Sequence, residues 1–108
     1  MIPSRANDIS HPMDVLNALG VAFKRQGKLT EAVQCYQRAL LIKPDNPDVL
    51  NNLGNALLAQ VQHSLAVAQY ERVLLLAPDH VQALYNLGNA LKHLTHLNII
   101  KLYIQTIV

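Results

Sequence analysis

The hexapeptide NLGNAL occurs at residues 52–57 and again at 86–91, and the chain matches itself repeatedly at that same offset of 34 residues. Gly20, Gly54 and Gly88 align, each preceded by a leucine: Leu19, Leu53 and Leu87. Leu16, Leu50 and Leu84 align three residues earlier. Ala32 aligns with Ala66, Tyr36 with Tyr70, Arg38 with Arg72, Leu40 with Leu74, and Pro44-Asp45 with Pro78-Asp79. So many coincidences at one offset mark an internal repeat, and a repeat of this length is one supersecondary unit that buries its apolar face only by stacking on a neighbour.

Each unit reads as two helices. Leu16, Leu19 and Phe23, then Leu50, Leu53 and Leu57, then Leu84, Leu87 and Leu91 recur in steps of three and four, which places each set on one helical face. Asn46-Pro47 is a helix start, since Asn caps free N–H groups and Pro is tolerated at the first helical position. Thr30, Ser64 and Asn98 are start signals for the second helices, and Pro44 and Pro78 end the first two of these. The predicted helices are 13–26, 30–42, 47–60, 64–76, 81–94 and 98–107. Glycine inside a helix costs about 1 kcal/mol against alanine. Gly20, Gly54 and Gly88 are therefore expected where a neighbouring helix approaches closely, with Tyr36 and Tyr70 filling the space beside small Ala32 and Ala66.

The unit Leu16, Leu19, Gly20, Phe23, Ala32, Tyr36, Ala39, Pro44 resembles a tetratricopeptide repeat (TPR), whose period is also 34 residues. The wording NNLGNAL is similar to repeats of bacterial TPR scaffolds and to those that precede O-linked N-acetylglucosamine transferase catalytic domains. The resemblance covers residues 13–108 as units 13–46, 47–80 and 81–108, with residues 1–12 as an N-terminal extension. It implies an all-α solenoid of antiparallel helix pairs, a right-handed superhelix whose first helices line a concave groove. It also implies a non-catalytic module that binds a protein or peptide there.

The groove positions implied by the resemblance carry Asn17, Asn51, Asn52, Asn55, Tyr85, Asn86, Asn89 and Lys92. An amide both donates and accepts, so a row of them can hold a peptide backbone, or can bond locally between neighbouring helices. Tyr85 is the expected anchor. TPRs that clamp the carboxylate-ended tails of heat-shock chaperones use basic residues and asparagines. At the matching places this chain has Asn17, Val21, Asn52, Gln82 and Asn86. The cations that make carboxylate hydrogen bonds strong are missing, which argues against that ligand.

The pattern breaks in the third unit. The turn between paired helices has Gly27 in the first unit but Val61 and Thr95 in the next two, and β-branched residues resist a positive φ. The later turns are thus expected to differ in geometry or to be strained. HLNIIKLYIQTIV has Ile100 where Ala32 and Ala66 stand, so the last unit is degenerate. The apolar segment 97–108, with Lys101 as its only charge, implies self-association, a missing downstream part or poor solubility, and the expectation is a truncated or decayed array that forms a homo-oligomer through this end.

Other chemistries find little support. Five histidines invite a metal, with His93 and His96 three apart and His63 near an adjacent turn, but no HExxH accompanies them. The lone Cys35 lacks a base at matching spacing, no glycine-rich phosphate loop exists, and no cofactor is expected. A net charge of +2 without a basic stripe is not a nucleic-acid footprint, and no apolar run approaches the length of a membrane span. The expectation is a cytoplasmic, non-enzymatic interaction module. Two rival readings are an N-terminal repeat fragment of a larger glycosyltransferase-like enzyme, and a self-assembling unit in which the groove of one copy takes the apolar end of another.

Overall fold

A computed structural model of the protein describes residues 11–107. Among them the helices are α1 (Pro12–Arg25), α2 (Leu29–Ile42), α3 (Pro47–Ala59), α4 (His63–Leu76) and α5 (Val81–Ile107). The first four form two antiparallel hairpins stacked side by side, and α5 lies on the second, in an all-α solenoid. Of the expected extension 1–12, all but His11 and Pro12 lies outside the described residues, and so does Val108 at the end of the segment 97–108.

The hairpins are closed by one device used twice. In the first, the Gly27 N–H donates to Lys24 O (3.0 Å) and the Lys28 N–H to Phe23 O (2.9 Å), with Gly27 at φ +79°. In the second, the Val61 N–H donates to Leu58 O (2.9 Å) and the Gln62 N–H to Leu57 O (2.9 Å), with Val61 at φ 63°. Both are the left-handed closure in which two backbone bonds satisfy the last carbonyls of a helix. The second turn therefore keeps the geometry of the first and carries the strain, since a β-branched residue at positive φ is an outlier.

The start signals fare unevenly. Asn46 caps α3, its Oδ1 accepting from the Val49 N–H at 3.0 Å, with Pro47 next in line. Thr30 and Ser64 do not cap. The turn closures bring the helices in earlier, at Leu29 and His63, and neither Lys28 nor Gln62 makes a side-chain cap. The start of α5 is held by His80, whose Nδ1 accepts from the Ala83 N–H (3.1 Å) while Nε2 lies 3.3 Å from Asp48 Oδ1 across the unit boundary. That arrangement requires the proton on Nε2.

The core sits along the helix seams. Tyr36 and Tyr70 are fully buried, as are Ala32, Ala39, Val49, Leu50, Ala56 and Ala66. A Cβ on Gly20 would fall 2.4 Å from Tyr36 Cε1, and one on Gly54 would fall 2.5 Å from Tyr70 Cε1. Here glycine is required by an aromatic ring that closely approaches the backbone of the facing helix.

The third unit departs from the expectation. No separate helix starts at Asn98, because α5 runs without a break from Val81 to Ile107. The expected third turn is absent. Thr95 is helical, and its hydroxyl donates to Leu91 O at 2.9 Å. Gly88 consequently has nothing within 4 Å of its missing Cβ, contrary to the close approach expected there. The physical reason lies at Ile100. Its counterparts Ala32 and Ala66 are fully buried, and because interiors are close-packed an isoleucine at that place overpacks a short-turned hairpin. Continuing the helix makes the molecule elongated, 72 × 29 × 19 Å.

Candidate peptide-binding groove

The first helices of the three units, α1, α3 and α5, lie side by side and are joined by a ladder of amides. Asn52 Nδ2 donates to Asn17 Oδ1 at 2.9 Å, linking α3 to α1. Asn86 Nδ2 bridges α5 to α3, donating to Asn55 Oδ1 (2.9 Å) and Asn51 Oδ1 (3.3 Å). Asn55 Oδ1 accepts a second bond, from the Tyr70 hydroxyl at 2.6 Å, which uses both of its lone pairs. Burial pushes the Tyr70 phenol up to about 12, so it stays a donor at physiological pH. Burial, and secondarily the neighbouring Cys35, raises Tyr36 as well.

Five of the eight residues expected in the groove are thus brought together as struts between helices. Asn51 is 3 % exposed, and Asn17, Asn52, Asn55 and Asn86 are half-buried. No fully buried side-chain nitrogen or oxygen among the described residues lacks a partner. Beside the ladder, Asn89 is half-buried, Lys92 is exposed, and Tyr85 is 70 % exposed. Asp14 and Asp48 are exposed near the N-terminal ends of α1 and α3, Lys24 near the C-terminal end of α1, and Lys92, two repeat lengths on from Lys24, midway along α5. The face therefore has an acidic edge, an amide and aromatic middle, and a basic edge.

Two contributors escaped the sequence reading. The Tyr70 hydroxyl orients Asn55, although the residue pair sits in different helices and no motif joins them. His80 ties the third unit to the second, where only its position just after Pro78-Asp79 hinted at a helix start. The histidine cluster does form in part. The rings of His63 and His93 lie 5.3 Å apart, centroid to centroid, but no third ligand completes a metal group among the described residues. Cys35 is buried. No helix among the described residues is long and apolar enough to cross a membrane.

Comparison with known proteins places this geometry. A TPR repeat model matches residues 20–61, and a tetratricopeptide repeat model matches residues 51–94. Among solved structures, the chain is similar to the first TPR of Spaghetti (RPAP3) bound to the HSP90 peptide SRMEEVD. The identity is 26 %, the TM-score 0.76, and the match covers 82 % of this chain and 72 % of that one. It is also similar to the Sgt2 TPR domain from Aspergillus fumigatus, at 32 % identity and TM-score 0.71, over 72 % of this chain and 52 % of that one, so it spans about half of that domain's length. The second TPR of Spaghetti, bound to the same peptide, shares the fold at 24 % identity and TM-score 0.77, over 94 % of each chain. No curated protein matches. With two repeat models covering residues 20–94 between them, and a structure that superimposes on TPR domains, the chain belongs to the tetratricopeptide repeat family.

Proposed function

We propose that the chain is a non-catalytic interaction module that takes an extended peptide or a helix in the groove of α1, α3 and α5. The observation that carries this reading is Tyr85, an aromatic left 70 % exposed on the one face where the amides of three helices converge. An exposed aromatic among fixed polar groups supplies contact area at low entropy cost, the character of an interface anchor. The likeness to a Spaghetti TPR that holds a peptide supports it.

The ladder assigns different work to different residues. Asn17, Asn51, Asn52, Asn55 and Asn86 hold the groove wall in shape, and Asn55 has only its Nδ2 left to offer, which suits a peptide carbonyl. Tyr85, Asn89 and Lys92 make the direct contacts. The chain lacks cations at the positions that would grip a terminal carboxylate, so binding is to the body of a peptide and not to its end.

Phage-displayed random peptides selected on the wild-type chain, then measured against Tyr85→Ala/Lys92→Ala, test this. Both sites are exposed, so the variant keeps its fold, which far-UV circular dichroism verifies. Selected peptides should lose at least about ten-fold in affinity. They should bind equally with a free or an amidated C-terminus, and SRMEEVD should bind no better than its amide. Undiminished binding to the double variant would sink the groove reading.

A further inference from the structure

The structure leaves one seam of the solenoid half made. α2 buries Ala32, Cys35, Tyr36 and Ala39 against its partner helix. Two repeat lengths on, the same positions are Ile100, Tyr103, Ile104 and Ile107, all apolar and all exposed. α3 buries Leu50, Leu53, Gly54 and Leu57. One repeat length on stand Leu84 (51 % exposed), Leu87, Gly88 and Leu91 (45 % exposed), with Gly88 facing open space. Both halves of an interface that the chain builds twice internally are therefore present a third time, and the unbroken α5 keeps them from meeting.

We propose that the C-terminal half of α5, residues 97–107, serves as the missing second helix for another copy of the chain. Its isoleucine and tyrosine face packs on the open Gly88 seam of that copy. The occupant is a second copy because the complement of the seam is written in the chain itself and is continuous with the interfaces already formed at Gly20 and Gly54. Asn98, Lys101 and Gln105 fall on the opposite side of the helix at about 100° per residue, so the docking face is free of charge. In trans no three-residue turn fixes how close the helices sit, and interaxial distances adapt to side-chain size, so Ile100 fits where a hairpin would exclude it.

The geometry also sets the mode of assembly. Gly88 and Ile104 have the sixteen-residue spacing of Gly20 and Tyr36, which suits a hairpin. On one continuous helix, sixteen residues at about 100° each leave the two faces about 160° apart. A copy that receives its neighbour's helix on one side thus presents its own helix on the other. That contact is head-to-tail and does not close into a two-fold dimer.

Light scattering on the full chain across a concentration series should show the mass rising past two copies without a plateau. Gly88→Phe fills the notch, and Ile104→Asp spoils the inserted face. Both sites are exposed in the single copy, so each variant retains its helical circular dichroism. Each alone should self-associate at least about ten-fold more weakly than wild type. Mixed in equal amounts, they should form a complex of two copies and no larger, since one supplies the only good notch and the other the only good helix. A wild-type chain that stays monomeric, a plateau at two copies, variants that associate like wild type, or a mixture that stays monomeric would each overturn the proposal.

Discussion

Two chemically identical substitutions, Gly54→Ala and Gly88→Ala, should move stability in opposite directions. Each adds one methyl group inside a helix and gains about 1 kcal/mol of helix propensity. At Gly54 the new Cβ meets Tyr70 Cε1 at 2.5 Å and Cζ at 2.9 Å. That ring is fully buried and anchored at its far end by the 2.6 Å bond to Asn55, so it has no free direction in which to yield. Overpacking a tight core costs about 1–3 kcal/mol, and a contact this short on an immobilised ring belongs at the upper end. The net loss is then about 2 kcal/mol, or a drop in Tm of about 8–16 °C for a domain of this size. At Gly88 nothing lies within 4 Å, so at concentrations where the chain is monomeric the full gain of about 1 kcal/mol survives. Urea and thermal unfolding followed by far-UV circular dichroism read both. A Gly54→Ala variant as stable as wild type would refute the ring-against-backbone account. A Gly88→Ala variant as damaged as Gly54→Ala would mean that the third seam is filled within one chain.

Val61→Gly should stabilise the chain by about 1 kcal/mol despite the added freedom of glycine, because it releases a β-branched residue from φ 63°. Urea midpoints measure it, and a destabilised variant contradicts it. Tyr70→Phe removes the donor that fixes Asn55 and should cost about 1–2 kcal/mol in the same assay. The Tyr70 phenol is raised to about 12 in the folded chain against an unfolded value of 10.0. The stability it contributes is therefore present below pH 10 and is lost as pH rises toward 12. Wild type should lose stability across that window more steeply than Tyr70→Phe, and parallel profiles would contradict the assignment.

The repeat frame was legible because packing demands recur: Leu19-Gly20 and Leu53-Gly54 announce a close approach, and Tyr36 and Tyr70 answer it at the same spacing. The third unit was not legible from its turn. Val61 and Thr95 are equally poor residues for a positive φ, yet Val61 adopts it and Thr95 stays helical. What separates them lies downstream. Ala66 and Tyr70 complete a seam that offsets the strain at Val61, whereas Ile100 at the alanine position denies that return to Thr95. The amide ladder was half legible. Repeat spacing placed the asparagines on the right helices. Which of them bond to one another depends on how α1, α3 and α5 are offset, which brings Asn17 to Asn52 and Asn86 to Asn51 and Asn55. Tyr85 stands out in the sequence as the one aromatic in that set, and it is left 70 % exposed.

The open seam at Gly88 depends on α5 running straight through Thr95. Spin labels at Gln82 and Gln105, two exposed positions on that helix, measure this by electron–electron dipolar spectroscopy in an excess of unlabelled chain. An unbroken helix puts the two backbones about 35 Å apart at 1.5 Å per residue. A hairpin folded at Thr95 would bring them within about 15 Å, given helix axes about 8–10 Å apart, and would contradict the account.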